Sequence, residues 1–396
     1  MAIPETDIRD LDWATVPGAC FVVDLRLLER NARLLSRVRR EAGCKVLAAL
    51  KGFSMWSTFD VLRPHLDGAC ASGPIEAQLA REEFAQDRFG VKEVHTYAPA
   101  FSVEDIHETL PLTDHLVFNS PAQVAKFLPL VREYERTSGR HIDIGLRTNP
   151  EYSEVDVELY NPCALGSRLG SRRVVVGATL PEGVSGLHFH VMCEQGADVL
   201  ERVLGHFEDR FGDLLPHCRW VNFGGGHHIT KPGYDIDLLV RVIRGFRARH
   251  PHLTVYLEPG EAIALNTGVL VATVQDIIEN GVKVAVLDVS ATAHMPDTLE
   301  MPYRPTIHGA GDPGATPHTY RLGGPTCLAG DVMGDWSFPK ALVPGDRLVF
   351  ADMAHYTMVK TTMFNGVKHP SLATWNGKEL KVVRKFTYQD YRNRLS

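Results

Sequence analysis

The sequence predicts an α/β protein built as a (β/α)8 TIM-like barrel followed by a C-terminal β-domain, of β-sandwich or barrel-like form. Three observations carry that prediction. The chain has 396 residues, beyond the roughly 250 to 300 at which a single hydrophobic core stops growing, so two domains are expected. Short apolar runs, each closing on a polar or Gly-rich turn, alternate with segments of helical period, and the runs number eight. After Ala262 the texture changes to strand-like pieces separated by Pro and Gly, with little helical periodicity.

In order, the eight runs are Val46 to Lys51, Gly68 to Ser72, Val94 to Tyr97, His115 to Asn119, Ile142 to Arg147, Gly186 to Val191, Trp220 to Phe223 and Thr254 to Glu258. Between them Leu25 to Arg40, Pro74 to Gln86, Pro121 to Glu135, Asp198 to Phe211 and Asp235 to Arg247 carry apolar residues three and four apart, the spacing of a helix with one buried face. Eight βα units suggest closure into a parallel barrel; an open doubly wound sheet is the structural alternative. The later strands are Val269 to Val274, Val282 to Leu287 and Arg347 to Phe350. The opening stretch Ala19 to Asp24 is also strand-like and precedes the first helix. We therefore expect a barrel over 25–265 and a β-domain over 266–396, with 1–24 lending it a strand.

Composition excludes several classes. A formal charge of −6 offers no basic stripe for nucleic acid. No apolar run approaches the ~18 residues of a membrane span, and Met1 to Trp13 is acidic and polar rather than a signal peptide, so a cytoplasmic protein is expected. The seven cysteines are odd in number, scattered and free of any C-x-x-C pair, which argues against a disulfide framework and a structural zinc site.

Barrels of this kind place their working groups at the C-terminal ends of the strands. Lys51 follows Val46-Leu47-Ala48-Ala49-Leu50, which brings an amine to a dry mouth where desolvation lowers its pKa and frees a nucleophile. Alone it reads first as a solvated turn lysine, and the neighbouring motifs change that. Gly224-Gly225-Gly226 follows the seventh run, and three glycines let backbone N–H groups approach a phosphate unobstructed. Glu258, in Glu258-Pro259-Gly260, puts a carboxylate where it would keep a pyridine nitrogen protonated, or else serves as a helix cap or in an ion pair. His190 would lie flat on an aromatic ring or fill the core, and Arg147 adds a cation at the same rim. A hydrolase metal site from His188, His190, His227, His228 and His294 is a different class; it leaves Lys51, the glycines and Glu258 without roles, and no metal is expected.

These motifs, together with His188 to Glu194, Gly324-Pro325-Thr326-Cys327 with Asp331, and Asp352-Met353-Ala354-His355-Tyr356, resemble the alanine-racemase-like (fold type III) pyridoxal-phosphate decarboxylases. That family includes ornithine, diaminopimelate and carboxynorspermidine decarboxylases, and the likeness is strongest to the carboxynorspermidine (carboxyspermidine) branch. The resemblance spans nearly the whole chain. It implies that Lys51 holds pyridoxal 5'-phosphate as a Schiff base, that His190 stacks on the pyridine ring, and that Glu258 bonds its nitrogen. The three glycines with Gly260, Arg147 and Tyr356 would complete the cofactor site. Cys327 would reach the active site of a second subunit and protonate the α-carbon after carbon dioxide leaves, which implies a homodimer.

Departures from the family pattern bear on the substrate. Members that bind a second carboxylate read Glu-Pro-Gly-Arg, whereas this chain reads Glu258-Pro259-Gly260-Glu261. An anion in place of a cation favours an amine at the far end of the substrate. Asp297 is a second candidate to grip that amine, and Asp331 a third. The family aspartate before Cys70-Ala71-Ser72 is Ala69 here, and Glu194 adds acidity without an assigned role. The expected reaction is decarboxylation of carboxynorspermidine or carboxyspermidine to norspermidine or spermidine. A diaminopimelate or ornithine decarboxylase, and a non-catalytic regulator of the same fold, are the alternatives.

Overall fold

A computed structural model describes residue 8, residues 10–85 and residues 90–396. Gln86, at the end of the expected Pro74 to Gln86 helix, and most of the opening stretch lie outside the described residues. The chain divides into two compact units, 31–263 and 1–30 with 264–396. Both limits fall a few residues inside the expected 25–265. Leu27 accounts for the first shift, because it packs with Cys20, Val22 and Trp375 in the core of the second unit.

In the first unit eight parallel strands close on themselves: Lys45–Ala49, Gly68–Ala71, Glu93–Tyr97, His115–Phe118, Asp143–Asn149, Val184–His188, Trp220–Asn222 and Thr254–Leu257. Closure is completed where Lys45–Ala49 pairs with Thr254–Leu257, and a two-residue strand, Ser171–Arg172, adds to the outside of Asp143–Asn149. The interior is packed by Leu47, Val117, Trp220 and Tyr256. Trp220 explains two glycines in the two barrel strands before its own: a Cβ on Gly145 or Gly186 would stand 2.4 Å or 2.1 Å from its ring. That exchange of volume fills the barrel, as close packing requires.

The connecting helices carry conventional end signals. Pro121–Ser138 begins at Ser120, whose hydroxyl accepts from Gln123 N–H, and stops at Gly139 with φ 71°. Ile236–Arg249 begins at Asp235, which accepts from Leu238 N–H. The helix Pro74–Leu79 runs on into a wider π turn over Ala80–Phe84.

The second unit is a mixed sheet of eight strands. Its path runs Val332–Phe338, His318–Gly323, Val282–Leu287, Gly268–Asn280, Cys20–Asp24, Ser371–Trp375 and Leu380–Arg384, with Arg347–Ala351 paired to Gly268–Asn280. The 13-residue strand Gly268–Asn280 serves three partners, and its pairing shifts register between Val274 and Asp276. Cys20–Asp24 pairs antiparallel to it and parallel to Ser371–Trp375. Short helices at Ala291–His294 and Asp297–Glu300 and a terminal helix at Tyr388–Leu395 accompany the sheet.

Candidate active site

Lys51 lies two residues beyond its strand, in a turn fixed by Gly52 N–H to Ala49 O at 3.0 Å and Leu50 N–H to Cys70 O at 3.1 Å. The side chain is solvent-accessible. It is nevertheless enclosed enough that burial lowers its pKa, with the Arg147 charge adding and Cys70, Glu258 and Glu76 opposing. An amine under that desolvation carries a larger neutral, nucleophilic fraction than a surface lysine.

Strand register lines up the groups beside it. Arg147 pairs with His188, and His188 pairs with Asn222, on three consecutive strands. Glu258 follows the next strand and takes both neighbours: His188 Nε2 stands 3.2 Å from its Oε2, and Asn222 Nδ2 donates to its Oε1 at 2.7 Å. Burial would raise the Glu258 pKa, but His188, the charge of His95 and the Asn222 donor outweigh it and hold the carboxyl at about 2. Burial also lowers the His188 pKa. Against that burial the Glu258 charge and its hydrogen bond pull the His188 pKa up, and Glu258 is the member of the pair held firmly in its charged form.

His190 lies just past the same strand and accepts Gly225 N–H at Nδ1, 2.9 Å away. Burial and the charges of Lys51 and Arg147 push its pKa well down. With Nδ1 occupied as an acceptor, the ring is neutral and carries its proton on Nε2. The Arg147 guanidinium donates to His190 O at 3.0 Å and lies 4.6 Å over the Tyr97 ring, which itself stacks with His188. Cys70 faces Glu258 and Lys51; burial first, then the Glu258 charge, raises its thiol pKa. Ala69, its neighbour, is fully buried.

The three glycines admit no side chain. A Cβ would stand 2.5 Å from Phe189 O at Gly224, 2.3 Å from Glu258 O at Gly225 and 2.0 Å from Met192 O at Gly226. Gly224 and Gly226 also have φ of 68° and 84°, where L side chains are strained. Gly260 touches Gly52, whose Cβ would lie 2.7 Å from its backbone. A desolvated lysine, a neutral flat imidazole, a fixed carboxylate and a glycine turn with a bare backbone suit a planar, anionic, carbonyl-bearing ring cofactor.

Of the residues expected from sequence, Lys51, Arg147, His190, Gly224, Gly225, Gly226, Glu258, Gly260 and Glu261 belong to the barrel unit. Asp297, Cys327, Asp331 and Tyr356 belong to the sheet unit. There Cys327 is exposed, its N–H held by Asn365 Oδ1 at 2.7 Å. Asp297 Oδ2 accepts from Tyr303 and Thr357 hydroxyls at 2.6 and 2.8 Å, leaving a buried Oδ1 unbonded. Tyr356 follows Asp352 in a turn where both have positive φ, 25° and 57°.

Asp331 corrects an expectation. It is buried, and its oxygens accept from Ser290 Oγ, Thr292 N–H, Thr326 N–H and Thr326 Oγ1 at 2.7 to 3.2 Å. With its lone pairs so engaged, it ties down the loop that carries Cys327 and has no capacity to grip a substrate amine.

Asn222, Tyr97 and Cys70 are given no role by the sequence, and His188, though it opens one of the family motifs, is given a role of its own only in the metal reading. The usable signal for His188 and Asn222 was position: both end strands beside a strand-end carboxylate. The metal reading of the five histidines finds no common centre. His294 Nδ1 accepts Ser290 N–H in the sheet unit, while His188 and His190 are spent on Glu258 and Gly225. Among the described residues two other groups bring three potential ligand atoms within 4.8 Å, Glu93–His95–His115 and Glu194–His228–Glu261. The first lies toward the strand starts, where Lys45 pairs with Glu93 and His115 opens its strand.

The sequence matches the family described as "Pyridoxal-dependent decarboxylase, C-terminal sheet domain" over residues 20–354. The chain belongs to this family of pyridoxal-dependent decarboxylases, and it is an enzyme that uses pyridoxal phosphate. It is 47% identical over 384 residues to the carboxyaminopropylagmatine decarboxylase of Synechocystis sp., covering 96% of each chain. It is 43% identical to the carboxynorspermidine/carboxyspermidine decarboxylase of Campylobacter jejuni, covering 96% of this chain and 98% of that one. The crystal structure of carboxynorspermidine decarboxylase from Campylobacter jejuni, complexed with norspermidine, superposes with a TM-score of 0.86 at 41% identity, covering 96% of this chain and all of that one. Diaminopimelate decarboxylase from Helicobacter pylori shares the fold, with a TM-score of 0.75 at 17% identity.

Proposed function

We propose that the chain decarboxylates carboxynorspermidine or carboxyspermidine, yielding norspermidine or spermidine, as a homodimeric cytoplasmic enzyme of polyamine biosynthesis. Among the described residues no helix is long and apolar enough to cross a membrane. The observation that carries the substrate reading is Glu261, an anion at the end of the eighth strand where relatives that take a dicarboxylic substrate have arginine. The relatives at 43% and 35% identity support it, being named for these two substrates. The Synechocystis relative favours a second reading, carboxyaminopropylagmatine, in which a guanidinium replaces the terminal amine.

When bound, pyridoxal phosphate supplies an electron sink for the pair released as carbon dioxide leaves. Lys51 would supply the amine that holds it. The Gly224-Gly225-Gly226 turn would take the phosphate, its Gly224 and Gly225 N–H groups being already donated to Asn222 and His190, with Arg147, Gly260 and Tyr356 in support. His190 offers a neutral face, and Glu258, kept ionised, holds the proton at the ring nitrogen. Cys327 delivers a proton to the α-carbon in a site completed by two copies of the chain. Asp297, with an unused oxygen, is a further candidate partner for a substrate amine.

The test is carbon dioxide release by the cofactor-loaded protein on carboxynorspermidine, carboxyspermidine, carboxyaminopropylagmatine, diaminopimelate, ornithine, lysine and arginine. Turnover confined to the first two supports the proposal, and preference for the third selects the second reading. Turnover of diaminopimelate or ornithine in their place refutes the account of Glu261.

A further inference from the structure

Three loops that leave the sixth, seventh and eighth barrel strands are stitched together beside Lys51. Gln195 N–H donates to Gly226 O at 3.0 Å and His228 N–H donates to Gln195 O at 3.2 Å, which joins the loop of Glu194 to the loop of His228. The absent Cβ of Gly226 lets the backbone of Met192 and Cys193 press against it. The third loop is anchored by Ala49 N–H donating to Pro259 O at 3.1 Å, and a Cβ on Gly52 would be 3.1 Å from Glu261 N. Glu261 thus begins its short helix directly against the residue that follows Lys51.

The side chains converge as the backbones do. Glu194, His228 and Glu261 each bring one polar atom within 4.8 Å of the other two. Two carboxylates at that separation repel, and a cation between them relieves the repulsion. His228 gives an independent sign of a ligand. It is only 5% exposed, and neither ring nitrogen makes a hydrogen bond with the described residues. Its Nε2 comes within 3.1 Å of Glu261 Oε2 but off the line a hydrogen bond needs. Buried imidazoles left unbonded call for a partner that belongs there.

We propose that Glu194, His228 and Glu261 form the seat of the substrate's protonated amine remote from the carboxyl that is lost. A primary ammonium has three N–H donors and no acceptor, and three acceptors close around it as these do. With N···O distances of about 2.9 Å and tetrahedral donors, the acceptors stand roughly 4.7 Å apart, inside the 4.8 Å limit of the grouping, so the Nε2 and Oε2 atoms now 3.1 Å apart must open as the ammonium enters. Tetrahedral zinc, with bonds of about 2.0 to 2.1 Å, draws its ligands to roughly 3.3 Å of one another. The inference rests on the carboxy-polyamine reading above and assigns Glu194 and His228 a part in it alongside Glu261.

The experiment uses the cofactor-loaded enzyme and the variants Glu194→Gln, Glu261→Gln, Glu261→Asp and His228→Asn. Each is assayed on carboxynorspermidine, on carboxyaminopropylagmatine and on 2,4-diaminobutyrate, an α-amino acid that keeps the inner nitrogen of the chain and lacks the terminal aminopropyl amine. Norspermidine binding is measured by calorimetry in parallel. The two Gln variants should raise KM for carboxynorspermidine about tenfold or more, with a smaller change in kcat. They should weaken norspermidine by a similar factor and cut the preference for carboxynorspermidine over diaminobutyrate at least tenfold. Glu261→Asp should recover part of that preference.

An unchanged preference, in a wild type that turns over carboxynorspermidine, overturns this seat and leaves the substrate reading standing. A wild type that acts on neither carboxy-polyamine removes both. Loss of activity on chelation, restored by zinc and absent in His228→Asn, overturns the ammonium in favour of a metal ion. A wild type preferring carboxyaminopropylagmatine, with that preference lost in both Gln variants, supports the seat with a guanidinium as its occupant.

Discussion

His188 Nε2 stands 3.2 Å from Glu258 Oε2 while Asn222 Nδ2 holds Oε1 at 2.7 Å, so the carboxylate is gripped from two neighbouring strands. Buried carboxylates usually neutralise; this one is held at about 2 by its donors. Glu258→Gln keeps the shape and removes the charge that maintains a proton on the cofactor ring. The expected result is a fall in kcat of about 10² to 10³ with the lysine-bound cofactor still visible by absorbance. His188→Asn should give a smaller loss in the same direction. Retention of full kcat in Glu258→Gln would show that the ring nitrogen is held by another group.

Gly225 has no room for a methyl group, because a Cβ there meets Glu258 O at 2.3 Å. Its N–H is also the donor that fixes His190. Gly225→Ala must move the loop, the imidazole and the carboxylate loop together. We expect pyridoxal phosphate affinity, measured by equilibrium dialysis, to fall by about tenfold or more, equivalent to roughly 1.4 kcal/mol. Gly205→Ala, at an open position of an outer helix where an added Cβ meets nothing within 4 Å, is the control and should leave affinity unchanged.

The barrel was legible because its eight strands are short apolar runs with turns after them, a pattern local in sequence. Lys51, the three glycines and Glu258 stood out for the same reason, since each comes within four residues of a strand end. His188 and Asn222 became visible as a pair only through strand register, which places residues 34 apart side by side. Such pairing is a property of the closed sheet. The role of Asp331 was hidden for a related reason. Its donors come from residues 290, 292 and 326, and a buried carboxylate satisfied from inside looks in sequence like a free acidic group at a motif.

Asp331 therefore predicts a loss of structure, not of substrate binding. Removing it strands the donors of Ser290, Thr292 and Thr326 without their acceptor. Asp331→Ala should lower stability by about 2 to 4 kcal/mol, measured by denaturant unfolding. A stable variant whose only defect is a raised KM would return Asp331 to the substrate.

His227 is almost fully buried, and burial lowers its pKa to about 4 from an unperturbed 6.5. The folded protein thus takes up this proton at lower pH than the unfolded chain does. Its contribution is present in full above about pH 6.5 and is lost as pH falls through about 4, a total loss of about 3 kcal/mol. Urea unfolding from pH 7.5 to 4 should show a steeper decline in the native protein than in His227→Leu. Parallel declines would mean that His227 titrates alike in both states.

Cys327 is exposed on the described chain, and the N–H that positions it is held by Asn365. If it completes the site of a second copy, Lys51→Ala and Cys327→Ala are each inactive or nearly so, yet mixing them restores activity. Subunit exchange at equal amounts makes about half of the dimers mixed, and each mixed dimer has one intact site and one doubly altered site. The expected recovery is about a quarter of the wild-type rate for a two-fold symmetric dimer. Sites built from one chain alone recover nothing on mixing, whatever the dimer does. Carbon dioxide release after exchange in dilute denaturant, followed by sizing of the products, separates these outcomes. A mixture that forms dimers and stays inactive removes Cys327 from the neighbouring site.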